Sequence, residues 1–198
     1  SDGITNADLG WASLHEANLH GADLERSVLS GAWLWEADLT AVNLSGATFN
    51  GADLRMAELT KANLRGANLA GAELQGACFL LANLQGAQMQ GANLSEARLV
   101  GAHFYRANLC GANLSSADLS LDRQMFDPEL FDEEDLEKAY ETLLKEVDLR
   151  GTSLQGTNLR GQNLSTARLI GATADRTTLW PEGFDPVAAG VIFEGEAR

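Results

Sequence analysis

The chain has 198 residues, of which 45% are hydrophobic and 21% charged, and its formal net charge is −14. A balance this acidic excludes nonspecific attachment to nucleic acid or to anionic membranes, both of which need basic surface. No apolar run approaches a membrane span and no signal-peptide pattern opens the chain, so a soluble, cytoplasmic protein is expected, with an already removed targeting segment left open by the start at Ser1.

From Ile4 to Leu119 an apolar residue recurs every five positions, giving 24 such centres without a slip. Nearly all are Leu, with Ile4, Phe49, Phe79, Met89 and Phe104 as variants, and Ala stands two residues earlier in most repeats. A period of five would rotate a helix by about 140° per repeat and leave it no apolar face, and it breaks the strict alternation of a long strand. The Ala and the centre are two apart, so a short extended segment puts both on one side while the other three residues turn the chain. Gly follows the centre by two at positions 31, 51, 71, 91 and 111, a column of spacing twenty that favours four repeats per coil of a solenoid.

The tandem motif A-[DN]-L-x-x resembles the pentapeptide-repeat family over residues 2–120 and again from 147 to about 179. The resemblance implies an all-β solenoid: a right-handed quadrilateral β-helix, four pentapeptides to a coil, here with one inserted α-helix. It says little about function. Most members of that family have no established role, and a minority bind or protect DNA gyrase by resembling duplex DNA in width and charge.

The chain divides into a first array (1–120), an acidic insertion (121–146), a second array (147–179) and a C-terminal cap (180–198), all one continuous domain. Stacked at the inter-strand spacing, the six coils of the first array make a rod about 29 Å long with a dry, side-chain-filled interior. Phe49, Phe79 and Phe104 fill core volume. Asn43, Asn63 and Asn83 form a column whose amides reach turn backbone or one another. Cys78 precedes a centre and Cys110 follows one, which predicts two exposed thiols on opposite faces, too far apart for a disulfide.

Function must lie on outward positions. The face centred on Leu14, Leu34, Leu54, Leu74, Leu94 and Leu114 gathers Glu16, Glu36, Asp53, Glu73 and Glu96 against one cation, Arg55, and also holds Trp33 and Trp35, with Trp11 at the neighbouring corner. Exposed Trp beside carboxylates predicts a partner site, because aromatic residues are enriched in binding hot spots. The alternative is that Trp35 only covers His15 and Arg55 in a cation–π arrangement. Glu16 and Glu36 stack in adjacent coils, where solvation rather than a cation is expected to relieve their repulsion.

The insertion carries ten acidic and three basic residues, half of the net charge of the chain. From Asp132 its signals are helical. Asp132 caps, Phe131 staples to Leu136, and Leu136, Ala139, Tyr140, Leu143, Leu144 and Val147 make one apolar stripe. Asp132, Glu133, Glu134, Asp135, Glu137 and Glu141 then form an acidic arm, offered to a basic partner or facing solvent from a clip laid on the β-helix.

Centres return at Leu149, Leu154, Leu159, Leu164 and Leu169, then Ala174 and Leu179. Val147, Thr152, Thr157 and Gln162 replace the Ala; the two Thr can turn inward if their hydroxyls bond to backbone, and Gln162 is harder to bury. The tail WPEGFDP resembles those of cyanobacterial members of the family. Trp180, Phe184, Val187, Ile192 and Phe193 can close the open end, and such a cap is expected over a C-terminal homodimer.

No P-loop, GxGxxG, HExxH or CxxC is present, and no Ser–His–Asp set falls on neighbouring positions. No cofactor or metal is expected. The sequence reads as a non-catalytic scaffold presenting an acidic, Trp-bearing face to a basic protein partner; the alternative is duplex mimicry directed at gyrase or another DNA-binding protein.

Overall fold

The computed structural model describes residues 5–120, 144 and 146–194. Its backbone ladder fixes the coil. Asp8 pairs with Val28, Ser13 with Trp33, Asn18 with Asp38 and Asp23 with Asn43, all parallel, and the spacing of twenty repeats without a slip to Arg98 and Asp118. Four pentapeptides therefore make one turn of a four-sided solenoid.

Each repeat satisfies its backbone in the same way. The centre donates to the coil above, as in Leu34 to the Asp53 carbonyl at 2.7 Å, and the residue before it donates to the coil below, as in Trp33 to the Ala12 carbonyl at 2.9 Å. A turn closes each corner, with Ala37 N–H donating to the Leu34 carbonyl at 3.0 Å. Through the first array the residue two after the centre has positive φ, as at Gly31 with 67° and Glu36 with 55°, which is the requirement of a type II turn and the reason Gly recurs there; in the second array Thr166 and Arg176 depart from it. So little chain lies between corners that the first array consists of single bridges, and the named strands are β1 (Thr173–Ala174) and β2 (Ile192–Phe193), paired in parallel.

The Asp or Asn before each centre also has a reason. Its side-chain oxygen accepts the N–H of the residue after the centre, as in Asn63 to Arg65, Asn83 to Gln85 and Asn108 to Cys110. That N–H has no place in the ladder, so the Asx bond supplies its partner. The Asn column does both things the sequence suggests: Asn63 donates to Asn43 at 3.1 Å and Asn43 donates to Asp23 at 2.9 Å.

Leu centres and Ala partners fill the interior from Leu24 to Ala174, and Phe49, Phe79 and Phe104 are fully buried among them. Thr157 is buried with its hydroxyl donating to the Leu114 carbonyl at 2.6 Å, Thr152 likewise donates to Leu149, and the amide of Gln162 donates to the Leu119 carbonyl. The carbonyl oxygen of the Gln162 side chain is left without a partner. This is the cost that its position predicts.

Three expectations change. Leu144, assigned by helical spacing to the stripe of the insertion, lies in the solenoid core, and its carbonyl accepts from Val147 as the centres from Leu9 to Leu114 accept from the residue three on. The array therefore resumes one repeat earlier than Leu149. Leu179 is not a centre: Asn158 pairs with Leu179, a spacing of 21, so Leu179 takes the outward bridging place and Trp180 packs against the core. Thr178 then fills the small inward position, its hydroxyl donating to the Leu154 carbonyl at 2.7 Å. Cys78 is buried, not exposed, and burial pushes its thiol up; both cysteines are free. The expected helix and its acidic arm fall within 121–143, outside the described residues.

At the C-terminal end β2 adds a last rung on β1, and Trp180 stacks on Phe184 with ring centroids 5.5 Å apart. Trp180, Phe184 and Phe193 pack against the core there, whereas Val187 and Ile192, also expected to close this end, are exposed.

Candidate functional site

The ladder sets the face of Leu34 and Leu54 residue by residue. Ser13, Trp33, Asp53, Glu73, Asn93 and Asn113 are consecutive rungs of one column. Trp33 and Trp35 flank the buried Leu34 and point outward, 61% and 39% exposed. Trp33 occupies a place where most repeats carry an Asx residue, so no side chain there accepts the N–H of residue 35.

Trp11 completes the group. It sits at a corner with φ 60°, 81% exposed, and its ring lies over Gly31 one coil on, where an added Cβ would fall 2.5 Å from the indole. Gly31 stands two residues before Trp33, so indoles follow one another across the face: Trp11 on Gly31, then Trp33, then Trp35. Each step is two residues of extended chain, about 6.6 Å.

The carboxylates are less uniform than their count suggests. Glu16 and Glu36 stack at the corner beside Trp35, their N–H groups donating to the carbonyls of Trp35 and Arg55. Asp53 is held by Arg55 through two bonds of 2.8 and 2.6 Å, and the guanidinium keeps its carboxyl below the usual carboxylate value. Glu73 accepts from Asn93 at 3.1 Å. Glu96 lies apart, separated from Glu36 in its column by Met56 and Gly76. Trp33, Asp53 and Glu73 thus share one column, Glu16 and Glu36 line the corner beside Trp35, and Glu96 lies further along the same face, one coil beyond Glu73.

Arg55 turns to Asp53, which leaves the expected cation–π cover of Trp35 without its cation. Among the described residues the cation–π contact is Arg106 over Tyr105, 4.9 Å from the centroid. On the other flank of the indoles Ser13 and His15 are hydrogen-bonded to each other at 3.1 Å. Exposed Val28 and Met56 extend the apolar surface and were not singled out by the sequence; Val28 in an Asx place and Met56 in a Gly place were the available signals. No group of three or more metal-binding side chains is assembled among the described residues.

Regular parallel rungs, a closed apolar interior and polar or aromatic side chains turned outward define a solenoid repeat protein. The chain belongs to the pentapeptide-repeat family: eight copies of the repeat match over residues 4–31, 22–59, 51–86, 87–121 and 143–180. Members of this family fold as right-handed quadrilateral β-helices, and the match points to no catalytic family. A trypsin-treated form of QnrB1, a plasmid-mediated fluoroquinolone resistance protein, aligns over 96% of this chain and 91% of its own with a TM-score of 0.56 at 16% identity, a likeness of fold. A pentapeptide repeat protein of the cyanobacterium Nostoc PCC 7120, alr5209, is 30% identical over 72% of this chain and 84% of its own, with a TM-score of 0.31. HetL, from the same organism and involved in regulating heterocyst differentiation, is 28% identical over 85% of each chain, with a TM-score of 0.39. No curated protein matches the chain in sequence.

Proposed function

We propose that this protein is a rigid, non-catalytic scaffold whose Trp11, Trp33 and Trp35 dock a basic protein partner, with Glu16, Glu36 and Glu73 meeting its charge. The observation that carries the reading is the exposure of Trp11 and Trp33, 81% and 61%, with the Trp33 backbone held between the rungs of Ser13 and Asp53 and Trp11 tied to the Ser30 carbonyl. Large indoles held in water gain free energy only when covered, and a preformed platform loses little entropy on binding. Glu16 and Glu36 have no cation beside them in the described ion pairs, whereas Asp53 is neutralised internally by Arg55. They are the carboxylates left for a partner.

Affinity capture from cell extract with the wild-type chain and with Glu16, Glu36 and Glu73 changed to Gln tests the charge half of the reading. The proteins retained by the wild type should be weakened or lost on the triple variant. Retention of every one of them, undiminished, would overturn it.

A further inference from the structure

The indoles mark out a direction. Trp33 and Trp35 stand on either side of the buried Leu34, and Trp11 sets its ring over Gly31, two residues before Trp33 in the same coil. The three therefore follow the coil across the rod and not the rod axis. Along the axis the surface changes within one rung: Trp33 is bordered by Ser13 and Asp53. Trp35 is bordered by His15 and Arg55, since Glu16 N–H donates to the Trp35 carbonyl and Glu36 N–H to the Arg55 carbonyl, which sets the three coils in register.

These borders make a track one rung wide. On one flank Arg55 donates to Asp53 through bonds of 2.8 and 2.6 Å, and Ser13 and His15 are bonded to each other at 3.1 Å on the other. Arg55 is exposed, so its positive charge repels a cation laid on that flank, yet its guanidinium is held by Asp53 and leaves the Trp35 ring uncovered. At the end of the track Glu16 and Glu36 stack about 4.8 Å apart. Neither has a cation in the described ion pairs, so the pair repels itself until one arrives.

Two features of an occupant follow. The platform advances by about 6.6 Å per indole, the separation of residues two apart and on the same side of an extended chain. A helix brings its neighbours together at three and four residues and is about 10–12 Å wide, which would lay it over Arg55. The side chain must also be flat enough for an indole and positive enough for Glu16 and Glu36. Arginine meets both demands, because its guanidinium is planar, weakly hydrated and able to fork onto a carboxylate, whereas the lysine ammonium is compact and strongly hydrated.

We infer that the Trp11, Trp33 and Trp35 track takes an extended peptide segment with arginines at alternate positions, laid along the coil, its guanidiniums on the indoles and at Glu16 and Glu36. The residues between the arginines face solvent and are free to vary. This rests on the docking role proposed above for the indoles and adds to it the conformation and side-chain type of the partner.

Fluorescein-labelled Arg-Ser-Arg-Ser-Arg, Arg-Arg-Arg-Ser-Ser and Lys-Ser-Lys-Ser-Lys peptides carry equal charge and separate spacing from side-chain type. Fluorescence anisotropy at physiological ionic strength, where attraction between distant exposed charges is screened, should show the alternating arginine peptide binding about ten-fold tighter or more than either of the others. That preference should disappear on Trp33→Ser and on Trp35→Ser. Equal affinity of the three peptides for the native chain, or no binding of the alternating peptide up to about 1 mM, would overturn the inference. So would a preference that survives both substitutions. The captured partner distinguishes the two levels of the argument. If Trp33→Ser releases that partner while the peptides bind alike, the docking role stands and only the extended arginine segment is wrong. If neither partner nor peptide responds to Trp33→Ser, the docking role falls as well.

Discussion

At the scale of single residues, the five-residue repeat is a set of backbone obligations. Ala and the centre face inward, Asx supplies a hydrogen-bond acceptor that the ladder lacks, and the corner demands positive φ. Those roles were legible in the sequence because each follows from spacing. What spacing did not give was the fit between a corner side chain and the next coil, as where Trp11 lies on Gly31. Gly31→Ala should cost about 1–2 kcal/mol for the left-handed backbone alone, and more because the methyl meets the indole. Gly51→Ala, with φ +65° and nothing within 4 Å, should lose only the backbone part. Urea unfolding checks this, and the excess at Gly31 should vanish in a Trp11→Ala background. Asp148 carries a second prediction. Arg150 donates to its carboxylate at 2.7 Å with Arg168 nearby, holding the carboxyl below its usual 3.8. A depressed carboxyl stabilises the fold above the unfolded value and loses that contribution as pH falls through the folded one. The stability difference between wild type and Asp148→Asn should therefore be full near about pH 6 and shrink below pH 3.8.

At the scale of elements, the inward positions are read correctly wherever the repeat is uninterrupted, and the misassigned centres lie at its ends. Leu144 satisfied both a helical stripe and a pentapeptide centre, and its burial in the solenoid core decided between them. The one-residue slip between Asn158 and Leu179 was hidden because Leu179 had the right type in the right place, while the larger Trp180 closes the end. The burial of Cys78 was missed for another reason: its column faces outward, and the one signal was its residue type, a Cys among Asn18, Asp38, Glu58, Arg98 and Asp118. Inside the array, Leu54→Ala should cost about 2–5 kcal/mol, since the site is fully enclosed and cannot collapse. Trp180→Ala should cost about 3–5 kcal/mol but act locally, because each coil leans only on its neighbours. Hydrogen exchange should then quicken across residues 147–194 while amides near Leu64 keep their protection. Equal acceleration along the whole rod would contradict that nearest-neighbour picture.

At the scale of the whole molecule, the coil is a ruler. Twenty residues per turn decide which side chains become neighbours, and they gather Trp33, Asp53 and Glu73 into one column while setting Glu96 apart. Duplex mimicry would need carboxylates continuous along the rod. The described columns interrupt them: Trp33 precedes Asp53 on one face, and Cys78 and Arg98 separate Glu58 from Asp118 on the next. The chain is accordingly expected to leave supercoiling by purified gyrase unchanged. What remains is a stiff support for a patch of indoles. The most direct test is titration calorimetry of a captured partner against wild type and Trp33→Ser, with Tyr105→Ser as a control on another face. The account predicts that Trp33→Ser weakens binding by about 30-fold or more, the roughly 2 kcal/mol of a hot-spot aromatic, with the control unchanged. Equal affinity for wild type and Trp33→Ser would contradict it.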